Sequence, residues 1–545
     1  MSVPVYNQQR SFLDTDQFIR RLFEQAPAGR FEFFAERIMP ALVALRPQLA
    51  AMYCDNNGRP CEEPVRMLAI SILQFMEGLP DRRAVEACCY DLRWKYALEM
   101  EVDAPSIHST SLVKFRQRLL KNGLNSIAFD AVLEAMRKAG YLKARKAQRL
   151  DSSHVLGMVS EMSRLECVRE AVRLVLEQVA REDQLARPQA WTVWWDRYVE
   201  SLPDYKAGQA VLQEKMLQAG ADACDLLTWL DTLPDTIRAL KETQTLRRVF
   251  EENFEEREAH LAKRRAQPPG AVQNPHDPDA QWSSKGTIPA KQKDWVGYKV
   301  QVAETVPTPD KSRNAPTDAV LTAVVTQPAI ASDKAAMPEV EQEWERTQQE
   351  KPEALYVDGG YTSGKELARA EQEEREIKGP VQPAPARAEK LSAEAFDISI
   401  GTRRAVCPGG HASTNCSRME EATGKVNYRF EWTDAICQSC PLREQCVGAN
   451  QRHRALVVGE HHEHVQARRR EMKTPEFQAQ MHQRNGVEGT ISELKRGYGM
   501  RRCRYRGLAK TTLQNYMIAA ACNIKRWARR ADWELNIGGM HTVAA

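Results

Sequence analysis

A mixed α/β fold with a helical leading region is what the 545-residue sequence predicts. Three observations predict it. Apolar residues recur at helical spacing from about Asp14 to Lys146, and the period switches to two in Trp295–Val306. From Ala319 onward, short β-branched runs alternate with helical ones, the order of an α/β layer.

The elements follow in chain order. Pro64–Met76 carries apolar residues at helical spacing, and Leu79–Tyr90 reads as a turn entering a second helix, with Asp81 as its N-cap. Ser109 or Thr110 is placed to cap a third helix through Leu112, Phe115, Leu119 and Leu120. Arg and Lys on the outer faces suit a DNA-binding module, although any helical bundle in water has charged outer faces. Ala147–Ser160 suits a strand. Leu165, Val168, Val172, Val175 and Val179 then form a helical stripe, and helical patterning continues to about Lys263. Pro, Gly and Asn between Gln267 and Asp279 mark a loop. Trp295–Val306 alternates as a strand, and Ala319–Thr326 is β-branched and apolar. Asp333–Glu350 reads as a helix, Ala354–Tyr361 as a buried strand ending in a turn, and Gly364–Glu374 as another helix. A Pro/Ala-rich stretch, Gly379–Ala386, leads into a Cys-rich insert, and basic helices run from about Glu460 onward.

The chain carries 77 Lys and Arg against 73 Asp and Glu, a formal net charge of +4, but from Gln451 onward the balance is 18 against 8. A basic C-terminal region on an otherwise slightly acidic chain points to an anionic polymer as partner. No run approaches the ~18 apolar residues of a membrane span, and Met1–Arg10 lacks the pattern of a signal peptide. The expectation is a cytoplasmic, nucleoid-associated protein with no membrane partner, whose 13 cysteines stay reduced.

Three acids stand out. Asp151 lies within the first strand-like segment, and Asp358 ends the apolar run Leu355-Tyr-Val-Asp-Gly-Gly. A carboxylate at the end of a buried strand projects into the crevice beyond it, whereas Asp-Gly is also a common turn. The third acid is Glu488 in Arg484-Asn-Gly-Val-Glu-Gly-Thr-Ile-Ser-Glu-Leu-Lys495. On a helix, Arg484, Glu488 and Lys495 share one face, with Val487, Ile491 and Leu494 as an apolar stripe on its flank. A carboxylate between two cations suits a site that holds metal and phosphate together. Alternatively, Glu488 completes an N-terminal capping box with Asn485 and makes a surface ion pair.

Taken in order, Leu150-Asp-Ser-Ser-His-Val, Tyr356-Val-Asp-Gly-Gly-Tyr and Arg484-(3)-Glu488-(6)-Lys495 with Arg501–Lys510 resemble the three signature blocks of insertion-sequence DDE transposases. The chain is similar to the bacterial branch with a helical N-terminal domain and a Cys-rich insert, from about Arg59 to Trp527. The resemblance implies a ribonuclease H-like catalytic core whose triad Asp151, Asp358 and Glu488 binds two Mg²⁺ ions, Asp151 bridging both. It also implies phosphate contacts by Arg484 and Lys495. By charge density, Arg496, Arg501, Arg502, Arg504, Arg506 and Lys510 continue a phosphate track with Tyr498 and Tyr505 as stacking platforms, a solvated helix-loop being the alternative. The pattern departs at Met481, where related transposases have a Tyr whose ring handles a flipped base. The spacings between the acids are long, which implies two insertions into the core.

The implied division is a helical DNA-binding domain at 1–146, a catalytic core from 147–160, 280–385 and 455–530, a helical insertion at 161–279 and a Cys-rich insertion at 386–454. Five cysteines fall in that last stretch. Cys437-Gln-Ser-Cys440 with Cys407 and Cys446 has the spacing of a structural, tetrahedral Zn²⁺ site. His411 or Cys416 could substitute, and a reduced, metal-free cluster is the alternative. His461-His-Glu-His464 with Arg468–Arg470 reads as a solvated, DNA-facing helix. Leu513, Tyr516, Ala520, Ile524 and Trp527 form a core stripe, and Glu493 is the nearest competitor to Glu488. The function expected is cleavage and strand transfer on terminal inverted repeats and target DNA, by a homodimer in the synaptic complex. A DNA-binding regulator without activity and a metal-dependent nuclease without strand transfer are the alternatives.

Overall fold

The computed structural model describes residues 2–4, 15–25, 29–54, 60–201, 205–257, 260–286, 292–308, 315–347, 349–383 and 390–543. The junction expected at 385 and 386 lies outside them.

The fold is mixed α+β, built on one six-stranded sheet. Gln148–Leu156 runs antiparallel to Lys293–Thr305 along its whole length. The first part of Lys293–Thr305 pairs with Gln281–Lys285 and the rest with Leu321–Pro328, again antiparallel. On its other side Gln148–Leu156 is parallel to Ala354–Tyr356, which is parallel to Glu376–Lys378. Parallel neighbours need a crossover, and the helix Gly364–Gln372 supplies the one between the last two strands. Leaving Gln281–Lys285 aside, and numbering strands along the chain, the spatial order is 3-2-1-4-5.

The pleat sends successive side chains to opposite faces. Leu150 and its partner Ala303 lie on one face and pack under the helix Asp333–Arg346 through Ala336, Met337, Val340 and Trp344. Val300, Val302 and Val155 lie on the other, against the long helix Leu508–Val543. Leu513, Tyr516, Ala520, Ile524 and Trp527 of that helix are buried in a core shared with the N-terminal helices, including Pro64–Glu77, Ser109–Lys121 and Ile127–Lys138. Residues 165–254 build a separate helical core, opened by a capping box between Ser163 and Glu166.

Several local expectations are corrected. Asp81 opens its helix without capping it: its carboxylate is held by Arg116 (2.5 Å) and Gln74 (2.7 Å). His108, not Ser109 or Thr110, is the N-cap of the third helix, accepting from the Thr110 amide at 3.3 Å. Helix ends at Asn253, because Phe254–Arg257 and His260–Lys263 pair as a hairpin. Residues 455–459, placed in the core from sequence, form the third strand of the sheet Asn415–Glu420, Val426–Glu431 and Ala455–Gly459 in the Cys-rich region.

Candidate active site

Asp151 sits mid-strand, opposite Val302, and is largely buried. Its side chain caps the amide of Ser152 at 2.7 Å. Asp358 follows two residues after the short strand Ala354–Tyr356. Because Arg149 pairs with Tyr356, continuing that direction by two residues brings Asp358, just beyond its strand, near Asp151, whose carboxyl it acts on. The Gly360 amide donates to Asp358 Oδ1 at 2.7 Å, fixing the turn. A side chain at Gly360 would meet both Asp358 Oδ1 (2.9 Å) and Asp333 Oδ2 (3.1 Å), so the aspartates crowd a backbone with no room for a Cβ. Asp333, the first residue of its helix, also lies within reach of Lys299 (3.4 Å) and Gln301 (3.3 Å).

Glu488 is carried by the helix Pro475–Gly497. Thr474 caps it by accepting from the Phe477 amide at 3.2 Å, and Pro475 occupies the first turn, where no donor is needed. Asn485 is therefore deep in the helix, and the capping-box alternative for Glu488 fails. Val487, Thr490 and Leu494 face the core, leaving Glu488 64% exposed on the opposite edge. Arg484 joins the two blocks: its Nη2 is 2.9 Å from Asp151 Oδ2 and its Nη1 3.4 Å from Glu488 Oε1.

A buried network fixes this helix against the Asp151 strand. Glu304, with no exposure, binds Arg149 at 2.7 Å and Arg526 at 2.8 Å and accepts from the Thr490 hydroxyl. Arg149 also donates to the Gln483 carbonyl at 3.1 Å. Gly486 lies directly against Arg149: a Cβ there would stand 1.9 Å from Nη1. Glu493 pairs with Arg526 at 2.7 Å, so the competitor to Glu488 is turned into this network.

Burial pushes the Asp151 carboxyl up, and Asp358 adds to it, against the opposing pull of Arg484 and the Ser152 amide. His154, three residues along the strand, is pushed down to about 4 by burial and then by Lys495, Lys285, Arg501 and Lys293. Lys495 is lowered by its own burial and by Lys285 and Arg501.

The sequence-predicted phosphate contacts divide. Arg496, Arg501, Arg502, Arg506 and Lys510 are exposed, and Lys495 is half-buried beside the carboxylates. Arg504 turns inward, donating to the Leu79 carbonyl at 2.7 Å with its guanidinium 4.5 Å from the Phe75 ring centre. Tyr498 is core, and Tyr505 lies under Arg116, so neither ring is offered for stacking. Arg468 and Arg469 donate to the carbonyls of Gly379 and Gln382, which packs the helix His462–Glu471 against residues 379–382 rather than leaving it solvated. Asp333, Lys285, Lys293 and the Glu304 network were missed. Asp333 reads from sequence as the first residue of a helix, and nothing in the local pattern singles out the two lysines.

With this geometry in place, comparison with known families becomes informative. Residues 406–528 match the family described as Transposase DDE domain, and residues 20–118 match Transposase domain (DUF772). The two matches support a relationship to the insertion-sequence DDE transposases. No curated protein and no solved structure gives a significant match. The first matched segment contains Arg484, Glu488 and Lys495, whereas Asp151 and Asp358 lie outside both segments. None of the described helices is long and apolar enough to cross a membrane.

The same matched segment holds the cysteines. Cys437 and Cys446 are buried in the small core of the insert. The Cys446 thiol is pushed up by burial, and Cys437, Cys407 and Cys440 all act on it, so the four sulfurs are neighbours. Gly409 backs onto Cys440 and Cys407, and the Arg454 amide points at Cys437 Sγ (3.4 Å). Cys416 is on the strand Asn415–Glu420, opposite Phe430. Among the described residues, no three His, Cys, Asp or Glu side chains converge closely enough to hold an ion as they stand.

Proposed function

We propose that the protein binds the terminal inverted repeats of its element and target DNA, and cuts and rejoins strands at a centre formed by Asp151, Asp358 and Glu488 in a ribonuclease H-like core. The observation that carries this reading is the Arg484 guanidinium held between Asp151 and Glu488. Residues more than 300 positions apart are thereby assembled around one cation, on a sheet of order 3-2-1-4-5.

The donor set fits Mg²⁺, which takes hard oxygen ligands and keeps several waters. Asp151 is buried beside Asp358, and a divalent ion would offset the burial that raises its carboxyl and the smaller push from Asp358. Glu488 is exposed and free to turn toward them. When bound, a pair of Mg²⁺ ions activates the attacking water or hydroxyl and stabilises the leaving oxygen. Arg484 and Lys495, beside the carboxylates, bind the phosphates of the strand being cut, and the exposed cations from Arg496 to Lys510 continue that track.

Cys407, Cys437, Cys440 and Cys446 provide the soft, four-sulfur donor set of a structural Zn²⁺ site. The Arg454 amide directed at Cys437 supports it, because thiolate ligands accept such donors. Joining two element ends calls for a homodimer, with one carboxylate centre per end.

The test is a plasmid bearing a marker between copies of the sequences that flank the gene. Expression of the protein yields joined products. Cut ends without joining would favour a nuclease, and binding without cutting would favour a regulator.

A further inference from the structure

The hairpin Gln281–Lys285 and Lys293–Thr305 brings Lys285 and Lys293 into register, directly opposite each other. Like charges facing across an antiparallel pair repel. Both side chains are exposed, and neither makes an ion pair among the described residues, including with Asp294 next to Lys293. The hairpin leads straight into the strand that pairs with the Asp151 strand.

Two further cations reach the same place from elsewhere in the chain. Lys495 lies two turns beyond Glu488 on its helix. Arg501 is anchored to the end of the Asp151 strand, its carbonyl accepting from the Leu156 amide at 2.9 Å. His154 lies between these segments, with its ring 5.2 Å from that of Trp295 on the hairpin. It is held uncharged to about pH 4 because burial and all four cations oppose its protonation. Four cations from three chain segments thus act on one neutral imidazole, and Lys285 and Lys495 also act on Asp151, the carboxylate engaged by Arg484. Such a concentration of positive charge stores repulsion that a row of phosphates relieves.

We propose that Lys285 and Lys293 form, with Lys495 and Arg501, a clamp for the phosphodiester backbone of duplex DNA entering the carboxylate centre. This rests on the reading of that centre as a DNA-processing site. It adds a hairpin from the first half of the core to a phosphate surface that sequence placed in the C-terminal region alone.

The test is the salt dependence of binding to a labelled 30-base-pair duplex of random sequence, since phosphate contacts carry no sequence information. Each phosphate contact adds about 0.9 to the slope of log K against log salt, so Lys285→Ala with Lys293→Ala should flatten the slope by about 1.8. The affinity gap between the two proteins should then shrink about 12-fold between 50 and 200 mM salt. Removing Arg418 and Lys425, exposed cations on the Cys-rich region, should leave the slope unchanged. The double lysine variant should melt at the wild-type temperature or above, since a repulsive pair has gone. An unchanged slope, or an equal flattening in the Arg418/Lys425 control, overturns the clamp. Flattening in a protein that never cuts DNA would leave the clamp standing while refuting the catalytic reading.

Discussion

Gly486 and Gly489 lie three residues apart on the helix that carries Glu488, and Ala should act oppositely at the two. In a helix interior Ala is favoured over Gly by about 1 kcal/mol. Nothing lies within 4 Å of a Cβ at Gly489, so that gain should appear in full. At Gly486 the new Cβ would fall 1.9 Å from Arg149 Nη1 and 2.4 Å from Cζ, forcing the guanidinium off fully buried Glu304. Breaking a buried ion pair on one side costs about 3–5 kcal/mol. Arg526 and Thr490 still hold Glu304, which favours the lower end and leaves a net loss of about 2 kcal/mol after the helical gain. Hydrogen exchange of the 475–497 peptide reads this directly. Gly486→Ala should exchange about 30-fold faster than wild type and Gly489→Ala about 5-fold slower, at about 1.4 kcal/mol per tenfold. Slower exchange in both would show that Arg149 does not fix this helix, and the account of how Glu488 is positioned would fail.

Titration of His154, followed by exchange of its C2 hydrogen, should centre near pH 4, and loss of Lys285 and Lys293 should raise the midpoint. Its folded pKa lies below the ordinary 6.5, so the folded state binds fewer protons between the two values. Stability contributed here is present above pH 6.5 and is lost as pH falls toward 4. A midpoint at 6.5 would contradict the cationic surround. Cys437→Ser should lower the zinc content of the purified protein and its melting temperature, and an unchanged metal content by elemental analysis would remove zinc from the insert.

The order of strands and helices was legible because burial on both faces leaves near-continuous apolar, β-branched runs such as Ala319–Val325, and one-sided helices leave stripes such as Leu513 to Trp527. The three acids were singled out in the sequence through their neighbours in the chain. What bonds across the chain left no local trace. Glu304 looks like any polar end of a strand, yet it binds residues 149, 490 and 526. Arg504 and Tyr498 carry the composition of a nucleic-acid surface, but tertiary packing turns both inward. Residues 455–459, grouped with the core from sequence, pair instead with a strand of the Cys-rich region, because a short apolar run does not say which partner it will find.

The central claim is that Asp151, Asp358 and Glu488 act together on DNA. Mg²⁺-dependent cleavage of a duplex bearing the sequences that flank the gene, measured for Asp151→Asn, Asp358→Asn and Glu488→Gln alongside binding of the same duplex, tests it most directly. Each substitution should reduce cleavage by about 10³-fold or more, the scale of losing about 4 kcal/mol of transition-state stabilisation, while binding changes little. Cleavage at the wild-type rate by any one of them would remove that residue from the centre and contradict the account.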